Sequence, residues 1–198
     1  MCSSDLVWRP EFGSRIGVMP LGGPTSAIRW FDLDPCYVFH GVNAFRRGDD
    51  VVVDVCRLAS SFAEDSDDIG DEASLRRWTV DTAVGRVTDD VLETDDPGDL
   101  PSRDPRLVGR AHRYGYLVGT RPNPATVELG DVIKHDFARG TRERWNPGAT
   151  RHASEPLFVP ADATTEDGGW LLSFVHDDAV DETVLAVDRK STRLNSSH

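Results

Sequence analysis

Asp34-Pro35-Cys36-Tyr37-Val38-Phe39-His40-Gly41-Val42-Asn43-Ala44-Phe45, followed by Arg46-Arg47-Gly48-Asp49-Asp50 and the apolar run 51–58, sets the character of the whole chain. Two runs rich in β-branched and aromatic residues around a short Gly-containing loop predict an antiparallel hairpin. A period of two puts Cys36, Val38, His40, Val42 and Ala44 on one face and Tyr37, Phe39, Asn43 and Phe45 on the other. Both faces are largely apolar, which predicts an inner strand covered on each side. A lone imidazole in such a strand is ordinarily a hydrogen-bonded core residue. Imidazole is a common metal ligand, but one His makes no metal site.

Outward from this hairpin the chain keeps the same habit. Segments 15–20 and 27–33 come before it as short apolar runs stopped by turn residues. After it, 74–80 and 86–92 flank Asp81-Thr82-Ala83-Val84-Gly85, and 132–137 and 141–145 flank Asp136-Phe137-Ala138-Arg139-Gly140. In each turn the Asp can bond its own backbone and the Gly supplies a positive φ. The two turns stand 55 residues apart, a spacing in the range of β-propeller blades. Further strands are expected at 112–120, 154–160, 169–177 and 182–187. Residues 58–73 and 101–109 read as loops, and the acidic runs 64–72 and 88–99 as solvated ones. With no convincing amphipathic helix, the expected class is all-β.

The net charge of −12 repels phosphate backbones and anionic surfaces, so nucleic acid is excluded as a partner class. No apolar stretch is long enough to cross a membrane as a helix. Cys36 and Cys56 are offset too far along the hairpin to face each other, which fits a reducing compartment and a cytoplasmic location. Neither a Gly-rich phosphate loop nor a paired-Cys, HExxH or GxSxG motif occurs. Residues 1–6 and 188–198 resemble translated sequencing-library adapters. They are set aside from the fold, which leaves 7–187 as the expected domain. The tail 188–198 is expected to pack on nothing.

Several segments, in order, resemble the carotenoid oxygenase family, also called the carotenoid cleavage dioxygenases. They are Arg15-Ile16-Gly17-Val18-Met19-Pro20, Trp30-Phe31, and the stretch from Cys36 through His40 to Phe45. Gly109-Arg110 with Arg113-Tyr114-Gly115-Tyr116 continues the series, as does Ile133-Lys134-His135-Asp136 through Gly140 to Trp145. Ser154-Glu155-Pro156-Leu157-Phe158-Val159-Pro160 and Glu166-Asp167-Gly168-Gly169-Trp170-Leu171-Leu172 complete it. The resemblance covers nearly all of 7–187 and is strongest to bacterial members.

The resemblance implies a seven-bladed β-propeller, of which this chain supplies several adjacent blades from the later part in an open arc. It also implies Fe(II) held by four His, three of them steadied by outer Glu residues. The implied reaction splits a conjugated double bond of a carotenoid or apocarotenoid with O2 to give two carbonyl products. Stilbene cleavage, retinoid isomerisation and a non-catalytic binding propeller are the alternatives. Within the family's Phe-His-x-x-Asn-Ala motif His40 matches the iron ligand; within Glu-Pro-x-Phe-Val, Glu155 matches an outer Glu, expected to face that same His. Phe45 is followed by Arg46, where the family often has Glu. One ligand of four predicts a chain that is inactive by itself. An apolar polyene or stilbene-like substrate and O2 are the implied partners, and substrate uptake leaves room for peripheral membrane contact.

The remaining histidines read as non-ligands. His135 and His176 stand beside Asp at strand ends and His152 in a Gly/Ala/Ser loop, while His112 precedes Arg113 and Tyr114. Asp32 and Asp34 read as an exposed strand face, and Arg142 and Arg144 as another. Trp30, Trp78, Trp145 and Trp170 read as packing between blades.

Overall fold

A computed structural model describes residues 7–61, 73–93, 95–96, 98–121 and 128–190. Fourteen strands and three single-turn 3-10 segments make up the described residues, in keeping with an all-β chain. The loop expected at 58–73, with its acidic run 64–72, falls largely outside them.

Strands β1 (Ser14–Val18) and β2 (Arg29–Leu33) pair with each other, and three four-stranded antiparallel sheets follow in chain order. The first holds β3 (Tyr37–Arg47), β4 (Asp50–Leu58), β5 (Ser74–Asp81) and β6 (Arg86–Glu93), each beside the next. The second holds β7 (Gly98–Ser102), β8 (Tyr114–Arg121), β9 (Glu128–Asp136) and β10 (Thr141–Trp145) in the same serial order. In the third, β11 (Arg151–Ala153) and β12 (Leu157–Pro160) lie end to end along one side of β13 (Gly169–Asp177), and β14 (Glu182–Lys190) lies along the other. Serial meanders of this kind are propeller blades.

The sheets stack face to face through apolar clusters. Ile16 and Leu33 pack on Val55 and Trp78 of the first sheet. Val42, Cys56, Leu58 and Leu75 of the first sheet meet Leu117 of the second, with Phe137 beside them. Tyr116 and Val132 of the second meet Ala153, Phe158 and Leu171 of the third, where Tyr116 stacks on Phe158 at 5.2 Å. Burying both faces of each middle sheet is what the apolar, β-favouring runs in this chain require. Cys36 and Cys56 fall in different clusters and are both free thiols.

The two Asp-x-x-x-Gly turns form as their chemistry demands. Asp81 accepts from the backbone N–H of Ala83 and Val84, Asp136 from those of Ala138 and Arg139, and Gly85 and Gly140 take φ values of 79° and 63°. A third such turn, Asp177 to Asp181, joins β13 to β14 with Asp181 in the left-handed position.

Four expectations are corrected. Strand β14 runs on through Lys190, so residues 188–190 pair with Gly169, Trp170 and Leu171 rather than standing apart; 191–198 and 1–6 lie outside the described residues. Of the acidic run 88–99, residues 88–93 lie in β6 and 98–99 in β7 rather than in a loop, and Arg76 holds Asp89 at 2.9 Å while Arg142 holds both Glu93 and Asp96. Arg142 and Arg144 are an exposed face of the outer strand β10, as expected, and both are ion-paired there. Trp30 is 58% exposed, with Arg15 over its ring, whereas Trp78 is buried. His135 stands near the end of β9 but is only 5% exposed rather than solvated, and His152 lies in strand β11 rather than in a loop.

Candidate functional site

Strand β3 departs from strict alternation at His40. Val38 pairs with Arg57 and Gly41 with Val55, so Phe39 and His40 together oppose the single residue Cys56. A second irregularity lets Val42 in between Gly41 and the Asn43–Asp54 pair. Bulges re-aim side chains, and they recur beside active sites. The effect here is that Val42 joins the cluster facing the second sheet while Val38 joins the opposite one, although two-residue periodicity would put them together. The stretch is also less covered than its apolar sequence predicts, because β3 is an edge strand: Phe39, His40 and Gly41 are exposed.

The His40 imidazole reaches across to the second sheet. Its Nδ1 lies 3.0 Å from Oδ1 of Asp99, with the His40 side chain 45% exposed and that of Asp99 19%. Among the described residues its Nε2 has no hydrogen-bond partner. An Asp carboxylate on Nδ1 favours the tautomer with the proton there, leaving the Nε2 lone pair available as a donor. Tyr37 and Phe39 pack edge to face at 4.7 Å on the approach to the ring.

Asp99 itself sits at a local irregularity. Strand β7 loses register between Asp99 and Ser102, and Leu100 takes a φ of 52°, unusual for a non-glycine residue. Cys56, opposite the His40 bulge, is fully buried. Burial pushes its thiol well up, and the Asp99 carboxylate adds to that. Sequence reasoning missed Asp99. It closes an acidic run and precedes Leu100-Pro101, and a Pro demotes a strand reading. Pro101 is tolerated because β7 is the edge of its sheet.

Glu155 is exposed and makes no hydrogen bond with His40; the ring expected to face it is on Asp99 instead. Among the described residues no group of three or more His, Cys, Asp or Glu side chains is arranged to hold a metal ion. The arrangement fits one imidazole arm of a metal centre and does not fit a whole one. His112 and His135 are buried, His152 and His176 share the carboxylate of Asp178, and none of these four rings joins His40. Phe45 is buried against His112 at 5.7 Å, whereas Phe39 lies beside His40.

Comparison with known proteins gives this geometry a setting. The family model for the retinal pigment epithelial membrane protein matches residues 2–192. A carotenoid cleavage oxygenase of Mycobacterium tuberculosis is 35% identical over 178 residues, which cover 84% of this chain and 35% of that protein. An isoeugenol monooxygenase of Pseudomonas nitroreducens is 31% identical, covering 85% of this chain and 39% of its own length. The crystal structure of cobalt-substituted Synechocystis ACO superposes with a TM-score of 0.80 at 26% identity, covering 90% of this chain and 39% of that one. The chain thus spans well under half the length of these relatives, and its serial sheets are blades of their propeller. On the ordered motifs, the stacked meanders and the family match together, the chain belongs to the carotenoid oxygenase family.

Proposed function

We propose that this chain supplies one imidazole arm, His40, of the iron centre of a non-haem Fe(II) oxygenase that cleaves a conjugated double bond of an apolar polyene with O2. The observation that carries the reading is the His40–Asp99 pair: Nδ1 is engaged at 3.0 Å and Nε2 is left without a partner. Asp99 holds the ring angle and tautomer, as an outer carboxylate does for a ligating imidazole. When bound, Fe(II) held by neutral imidazoles supplies the oxygen chemistry, with coordination positions left open for O2. The chain's own residues position: the bulge turns His40 toward the second sheet, and β7 presents Asp99 to meet it. Glu155 matches the family's orienting Glu but does not hold the His40 ring, so the proposal gives that role at His40 to Asp99. A carotenoid or apocarotenoid is the substrate class of first choice, and the similarity to an isoeugenol monooxygenase favours an alkene conjugated to a phenol ring as the second.

Cleavage of carotenoid, apocarotenoid and phenylpropene alkenes, assayed in the longer protein that carries this segment, tests the reading. His40→Ala should abolish cleavage and iron retention, and Asp99→Asn should lower either by about 10- to 100-fold. Full activity in His40→Ala would sink the proposal. The 198-residue chain alone is expected to retain no stoichiometric iron after dialysis, and finding one iron per chain would refute the single-arm reading.

A further inference from the structure

His40 and Asp99 stand on different sheets, so their 3.0 Å contact depends on how the first sheet is held against the second. One buried side chain spans that same boundary. Asn43, 8% exposed, follows His40 by three residues and sits just past the second bulge of β3. Its Nδ2 donates to the carbonyls of Leu107 at 2.9 Å and Arg110 at 3.0 Å, and its Oδ1 accepts from the N–H of Gly109 at 3.2 Å. All of these partners lie in the segment directly after β7, the strand that carries Asp99.

The amide is itself propped. Nδ1 of His112 lies 3.2 Å from Nδ2 of Asn43, and the His112 ring is wedged edge-on between Phe45 at 5.7 Å and Phe137 at 5.1 Å. On its other side Nε2 comes within 3.4 Å of Asp54, the residue paired with Asn43 across β3 and β4. Both Asp54 oxygens are taken by Arg77 at 2.7 Å, and the Arg77 guanidinium lies over Phe45 and Phe137. Among the described residues Nε2 of His112 makes no hydrogen bond, so the order of this buried cluster comes from the bonds of Asn43 and of Asp54 with Arg77, and such bonds favour one defined geometry.

We infer that Asn43 is a positioning residue that sets the His40–Asp99 pair by clamping the segment after β7 to β3, with the His112 ring packed against its amide. The inference rests on the reading that His40 works with Asp99 on its Nδ1. It gives the buried polar cluster a purpose that packing does not: without the clamp, β7 is free to shift along the first sheet and the ring loses its partner.

Long-range 1H–15N correlation spectra of the uniformly 15N-labelled chain test this, because they report the tautomer of every histidine without any metal. In the parent, His40 should carry its proton on Nδ1. In Asn43→Ala that signal should be lost in favour of the Nε2–H form that free imidazoles prefer. His112→Phe keeps an aromatic ring between Phe45 and Phe137 but removes the prop, and should shift His40 in the same direction. His135, buried on β9, reports whether each variant is folded. If the parent already shows Nε2–H, the pairing with Asp99 is what fails. If the parent shows Nδ1–H and a folded Asn43→Ala keeps it, the clamp alone is overturned. Collapse of the His135 signal in both variants would assign the cluster to stability only and would equally overturn the inference.

Discussion

Among the described residues, His112 and His135 are buried where protonation is costly. His135 stacks parallel to Phe137, and desolvation brings its pKa down to about 4, with Glu93 opposing and Arg142 reinforcing the shift. His112 is lowered too, first by burial, against the pull of the nearby Asp54 carboxylate. For both, the folded pKa lies below the unfolded one. Between about pH 4 and 6.5 the unfolded chain binds more protons, so stability is complete above that window and is lost as pH falls through it. The His135 share is about 3 kcal/mol. Urea unfolding at about pH 7 and about pH 4.5 should therefore show a smaller loss in His135→Phe than in the parent. Equal losses would mean that this ring is not what acid destabilises. His135 sits next to Asp136 in the sequence and resembles a solvated turn residue there. Its burial comes from the second sheet packing on its neighbours, which local sequence does not record.

At the scale of elements, the strands that meet at the site are both sheet edges and both irregular. An edge strand needs no partner on one side, so it can carry a bulge, a positive φ or a proline that a central strand would not accept. Strand β3 uses this to turn His40, and β7 uses it to present Asp99. Gly98 opens β7 where a Cβ would lie 2.8 Å from the carbonyl oxygen of Val118 on β8. Gly98→Ala should push the start of β7 away from β8, at a cost of about 1–3 kcal/mol. Because Asp99 is the next residue, the same variant should weaken the His40 Nδ1–H signal; a lowered melting temperature with that signal intact would separate β7's packing from its role at the site. The hairpins were legible from sequence because turn chemistry is local, as the bonds made by Asp81 and Asp136 show. The bulges were not. A bulge is a relation between two strands, and neither Phe39 nor Val42 announces that it is the extra residue.

Over the whole molecule, the third sheet turns an apolar face outward. Phe174 and Leu185 are a cross-strand pair 61% and 53% exposed, with Leu157 and Val187 at 58% and 59% on neighbouring positions of the same face. A contiguous apolar surface of this kind on an otherwise acidic chain drives association. The isolated chain should self-associate with rising concentration in sedimentation experiments, and the pair Phe174→Glu and Leu185→Lys should shift it toward monomer. Concentration-independent monomers in the parent would contradict this.

The sequence alone determined the all-β class, the hairpin turns and the order of the family motifs, because those rest on residue type, short spacing and order along the chain. Only the tertiary structure decided His40's partner. Glu155 matched the motif, yet Asp99 occupies Nδ1, since that contact is made between two sheets whose packing depends on two bulges, an edge proline and a buried Asn43 clamp. Residue types specify what a side chain can bind; which one it meets is set by strand register and sheet stacking, and these depend on contacts far apart in the chain.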